Sequence, residues 1–138
     1  MMTPQRLVEE LNLLVKEISL NNFLLVDGLT PHPVLRAAVV THNGHHYGLE
    51  IDLKGYPTQM PSMCVPQVLK KRDGTSMGLS SSMHCLGIRD GKTYICHGSV
   101  WRPETSLFHL YIKGKLWLEA YEGHLATGKD IDYYLKEE

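Results

Sequence analysis

Apolar and polar positions change period along the chain, and those changes mark out the elements. In "TPQRLVEELNLLVKEI", Leu7, Leu11, Leu14, Val15 and Ile18 recur at helical spacing. They predict an amphipathic helix with one apolar face. Thr3 suits its N-cap, Pro4 its first turn, and Glu9 and Glu10 its positive end. Asn21-Asn22 break the pattern, and from Phe23 to Leu53 the texture becomes that of strands. "FLLVDGL" reads as a first strand. "PVLRAAVVTH" and "HHYGLEIDL" read as a hairpin about Asn43-Gly44, with both turn residues expected at positive φ. Tyr47, Leu49, Ile51 and Leu53 alternate with Gly48, Glu50 and Asp52, so one face is buried and one wet. "SMCVPQVLK" reads as a fourth strand, which Pro66 marks as irregular or at a sheet edge.

The next stretch, "KKRDGTSMGLSSSM", is polar and rich in glycine and serine, without periodicity, and predicts a mobile loop. Lys70, Lys71 and Arg72 within it read as a solvated face rather than a binding patch. "PETSLFHLYIKGKLWLEAY" predicts a second helix from Pro103, with Gly123 as its stop. Leu107, Leu110, Tyr111, Gly114, Trp117, Leu118 and Tyr121 form its buried stripe, and Gly114 there implies close backbone packing. "TGKDIDYYLKEE" ends the chain as a short helix or tail. Strands grouped between helices predict an α+β fold: N-terminal helix, four-stranded antiparallel meander, irregular cysteine-bearing loop, long helix, short tail. With no internal repeat or composition break, residues 1–138 read as one domain.

Composition narrows the function without naming it. Hydrophobic residues make up 43% and charged residues 21% of 138, ordinary values for a soluble domain. A net charge of −1 gives no overall bias toward nucleic acid or anionic membrane. No apolar run approaches the roughly 20 residues that span a bilayer, and the N-terminal glutamates fall where a secretion signal needs apolar residues. The three cysteines, Cys64, Cys85 and Cys96, are then expected as reduced thiols in a cytoplasmic protein.

Three roles are open to Cys96. Free cysteine packs readily as a small core hydrophobe, which suits Cys64 and Cys85 as well. A metal site would draw on His84-Cys85 and Cys96-His97, but adjacent residues in extended chain point opposite ways and no Cys-x-x-Cys half-site is present. His42, His45 and His46 at the hairpin tip read as an exposed turn. No metal and no cofactor are therefore expected. A nucleophile needs an accessible thiolate, and "CHGSV" is small and polar enough to keep Cys96 open. His84, His109 and His124 are available to assist, and spacing does not choose among them.

The order of landmarks resembles the ubiquitin-conjugating enzyme family over most of the chain. "HHYGLEIDLKGYPTQMP" is similar to the family's third strand, its Tyr-Pro (Tyr56-Pro57) and a further proline (Pro61). "MHCLGIRDGKTYICHGSVWRPETSL" is similar to the active-site segment. His84 stands at the histidine of His-Pro-Asn, Gly91 in the turn, Ile95-Cys96 at the nucleophile, and Trp101-Arg102-Pro103 at the Trp-x-Pro that opens a helix. Cys85 and Leu86 replace the motif's proline and asparagine, the loop before His84 is longer, and two C-terminal helices are largely missing. The trimmed end, "WLEAYEGHLATGK", resembles the bacterial branch found in ubiquitin-like conjugation operons linked to antiphage defence.

The resemblance implies that Cys96 takes the C-terminal glycyl group of a ubiquitin-like protein from an activating enzyme and passes it to an amine on a target protein. It implies a stand-in for the lost asparagine among His84, His97, Ser80 to Ser82 and the backbone near Gly98, with His84 organising the loop. His124 and Asp130, in the tail, are expected to orient or deprotonate the incoming lysine. Arg6 and Glu10 on the first helix, with Met60, Trp101 and Arg102 in the loops, are expected at the activating-enzyme surface, Trp101 chiefly by framing the site. The alternatives are a non-catalytic variant of the same fold, an unrelated thiol hydrolase and a zinc-stapled module.

Overall fold

The computed structural model describes residues 1–136. Helix α1 (Pro4–Glu17) starts where the capping signal places it, with the Thr3 hydroxyl accepting the Arg6 N–H at 3.1 Å. Leu14 and Ile18 are buried, as is Met2 just before the helix, whereas Val15 is half exposed and lies off the apolar face.

The architecture is α+β, but the sheet has seven strands rather than four. Strands β1 (Phe23–Val26), β2 (Val34–Val40), β3 (His46–Asp52) and β4 (Ser62–Val65) form the expected meander. Three short strands then extend it: β5 (Leu79–Ser80), β6 (Cys85–Arg89) and β7 (Lys92–Ile95). All pairings are antiparallel, in the order β1-β2-β3-β4-β7-β6-β5. Pro66 therefore does not mark an edge; β4 lies between β3 and β7 and simply stops at Val65. The supposed mobile loop is also built. It carries β5, a Lys70–Ser76 bridge and two buried methionines, Met77 and Met83, that anchor it to the core.

At the β2–β3 turn only Gly44 takes positive φ, +82°, because the turn is longer than two residues and closes through the Gly44 N–H on Thr41 O. Its tip is latched to helix α2 (Leu107–Thr127). The Glu119 carboxylate accepts the His42 N–H, and Glu122 accepts from the His45 ring and the Tyr47 hydroxyl. The hairpin histidines thus belong in part to a packing contact.

Helix α2 begins at Leu107 rather than Pro103, with the Ser106 hydroxyl capping the His109 N–H at 3.0 Å. It runs through Gly123 and ends at Gly128, whose φ of +80° closes the last turn. The expected stripe is buried throughout. A Cβ at Gly114 would stand 2.5 Å from Leu49 Cδ2, so the missing side chain is what lets α2 lie against β3. Leu35, Ile51 and Met63 align across β2, β3 and β4 on the helix-facing side, forming the core with Trp117 and Leu118. A short helix, α3 (Ile131–Leu135), folds back along α2 and buries Ile131. Among the described residues no helix is long and apolar enough to cross a membrane.

Candidate active site

Cys96 is the first residue beyond β7, so the sheet fixes its position while leaving its side chain at the rim. Its N–H donates to His84 O at 2.8 Å, and the Trp117 indole N–H reaches the same oxygen at 3.1 Å. One carbonyl therefore ties the thiol's backbone to the turn before β6 and to the core of α2. His84 holds φ at +46°, a conformation unfavourable for a side-chain-bearing residue. The bonds to its carbonyl hold it there.

The three cysteines divide by surroundings. Cys64 and Cys85 are 5% and 1% exposed, and burial pushes both thiols up, Cys64 to about 11. Cys96 is only partly buried and lines an open cavity of about 450 Å³. Leu79 and Leu86, partners across β5 and β6, form an apolar wall of this cavity. Ser80, Ser81, His84 and Asp132 supply its polar groups. Native protein treated with a bulky maleimide is expected to label first at Cys96, with Cys64 and Cys85 following only on unfolding. Peptide mapping that finds a second thiol labelled at the same rate would contradict this division.

Of the expected supporting residues, Ser80, Ser81 and His84 share the cavity with the thiol, and His97, His124 and Asp130 do not line it. His84 Nε2 lies 2.8 Å from Asp132 Oδ1, and the Asp132 N–H donates to Ser82 O at 2.8 Å, so α3 is fastened twice to the turn that carries the imidazole. The His97 ring turns the other way, to Pro61 O at 2.7 Å. Burial, against that hydrogen bond, holds its basicity below the usual histidine range. His124 is buried, accepting the Arg72 N–H on Nε2 and donating from Nδ1 to Lys129 O. Both ring nitrogens thus brace the loop and the turn after α2. Asp130 is exposed and lines a different cavity, of about 550 Å³, with Lys71, Arg72 and His124. The carboxylate at the thiol is Asp132, two residues on. Nothing in "KDID" chooses between them, since the choice depends on how α3 docks. His84-Cys85 and Cys96-His97 do not converge on one point. Among the described residues no three His, Cys, Asp or Glu side chains gather as a metal would need.

The expected partner-binding residues also separate. Met60, Trp101 and Arg102 come together in a groove of about 370 Å³ with Val100, His109 and Lys113. Trp101 is half-buried, packs edge-on to Tyr56 and donates to Pro57 O at 2.8 Å. Arg6 and Glu10 are bonded to each other and to the segment before α2. Glu10 is buried, accepts from Arg6 Nε at 2.8 Å and accepts the Leu107 N–H at 2.8 Å. Arg6 also donates to the Tyr56 hydroxyl and to the carbonyls of Pro103 and Thr105.

The chain matches no protein-family model, no curated protein and no solved structure.

Proposed function

We propose that this chain is a conjugating enzyme of the ubiquitin-conjugating type. It carries a ubiquitin-like protein as a thioester on Cys96 and delivers it to an amine of a target protein, in a bacterial antiphage pathway. The observation that carries this reading is the position of Cys96. It is the sole partly exposed cysteine, set just past a sheet strand at the mouth of a cavity whose other polar groups are two serines, an imidazole and a carboxylate. Further support comes from the order of motifs along the chain and from an N-terminal helix, an antiparallel sheet and a long helix arranged around the segment that carries them.

Loading and transfer are both acyl transfers and need a donor for the developing oxyanion. Leu86, at the motif's asparagine, has no donor, and 47% of it is exposed beside the cavity. The Ser81 hydroxyl, which lines the cavity and has no hydrogen-bond partner among the described residues, is the replacement we assign.

The test is incubation with the activating enzyme, ATP and the ubiquitin-like protein, read on gels with and without reductant. The expected result is an adduct that reductant removes and that Cys96→Ala abolishes completely. An adduct indifferent to reductant, or present in Cys96→Ala, overturns the proposal. One observation favours a second reading: a thiol, an imidazole and a carboxylate share one cavity, as in a thiol hydrolase. That reading predicts turnover by water of small thioesters, with no adduct from the activating enzyme.

A further inference from the structure

The geometry points to His84 as the proton acceptor for the attacking amine and to Asp132 as the residue that positions it. This rests on the thioester reading and adds to it a base. An amine of a protein is protonated at neutral pH and attacks a thioester only after losing a proton. Histidine is the side chain suited to take that proton near neutrality. His84 lies in the same cavity as Cys96, and its ring is oriented through Nε2 by Asp132. Among the described residues Nδ1 makes no hydrogen bond, so it is free to receive a proton.

Asp132 comes from α3, Cys96 from the end of β7, and His84 with Ser80 and Ser81 from the turn and strand beside them. Among the described residues Asp132 is the sole carboxylate or other formally charged side chain lining the cavity; the remaining titratable groups there are His84 and the thiols of Cys85 and Cys96. An imidazolium formed at His84 would thus face one carboxylate and no cation across the cavity. The closed ring Asp132 N–H to Ser82 O and Asp132 Oδ1 to His84 Nε2 holds the imidazole in one orientation, so little freedom is lost when the amine arrives.

The step balances with water as the final proton acceptor. His84 Nδ1 takes one proton from the ammonium and releases it to water. The neutral amine nitrogen then bonds to the thioester carbonyl carbon, the C–S bond breaks, and the second proton of the nitrogen passes to the departing sulfur of Cys96. The products are an amide, a free thiol, neutral His84 and one proton in water.

The test uses enzyme loaded on Cys96, freed from ATP and activating enzyme, and discharged into free lysine or into hydroxylamine. Hydroxylamine is already neutral at neutral pH and does not need the base. Asp132→Asn keeps an oxygen to accept from Nε2 and removes only the charge. His84→Asn uses a residue that tolerates left-handed backbone. Discharge is followed from the loaded fraction of each variant, so any difference in loading does not enter the comparison. Discharge into lysine is expected to fall about 100-fold in His84→Asn and about 10-fold in Asp132→Asn, with hydroxylamine discharge within a few-fold of wild type. Wild-type lysine discharge in both variants overturns the assignment, and so does equal slowing toward both amines, which marks a purely structural role. Failure of the wild-type protein itself to load is a separate result, and it overturns the thioester reading together with this one.

Discussion

Trp117→Ala is expected to destabilise the protein by about 4 kcal/mol, a fall in Tm of roughly 10–16 °C for a chain of this size. The indole is 1% exposed, stacks on Tyr121 with ring centres 5.7 Å apart, and belongs to the buried core shared by α2 and the sheet. Truncation leaves a cavity that rigid neighbours on a helix and a seven-stranded sheet fill poorly. It also removes one of the two donors to His84 O. Trp117→Phe separates the two effects. It keeps an aromatic ring and loses the indole N–H, and His84 O still accepts from Cys96, so no polar group is orphaned. Its cost is expected at about 1–2 kcal/mol. If Trp117→Phe is as destabilising as Trp117→Ala, the tie to the thiol loop, rather than the packed volume, dominates. Urea unfolding followed by circular dichroism decides between them.

That shared carbonyl explains why core packing and site geometry are hard to separate in this protein. Much of the frame was legible from the chain alone. The α1 cap, the buried stripe of α2 and the β2–β3 alternation are local or periodic signals, and they survive folding because the surrounding structure agrees with them. Gly114 was legible as a close approach for the same reason. The extension of the sheet was not. Strand β5 has two residues, and β6 is interrupted at Gly87 by a shift in register between Cys85 and Ile88, so no run is long enough to alternate visibly. Their stability comes from pairing with β4 through β7, which is non-local.

The site was legible where it depends on chain order and obscure where it depends on docking. Cys96 follows His84 by twelve positions in sequence, and the β6–β7 hairpin brings them to one cavity. Asp132 arrives from the other end of α2, and only the packing of α3 puts it there instead of Asp130. His124 and His97 share the chemistry of His84 but spend their nitrogens on Arg72, Lys129 and Pro61. Residue type nominated all three equally; hydrogen bonding separates them.

Glu10→Ala is expected to cost about 3–5 kcal/mol, the range for removing one partner of a buried ion pair. Glu10 is 6% exposed and serves two donors, Arg6 Nε with one oxygen and the Leu107 N–H with the other. Its loss would leave the Arg6 charge without its carboxylate and a helix N-terminus without its acceptor. Glu10→Gln keeps an oxygen for the Leu107 N–H and removes the charge, so its expected cost is smaller, about 1–2 kcal/mol. In sequence the pair looks like an exposed i, i+4 salt bridge, worth only about 0.3–0.5 kcal/mol. In the fold it fastens α1 to the 103–107 segment that leads into α2. The two views differ in consequence. Were Glu10 a contact for an activating enzyme, Glu10→Gln would slow loading at every temperature. As an internal fastener it should load at the wild-type rate wherever it remains folded, with its urea midpoint lowered and its m value unchanged.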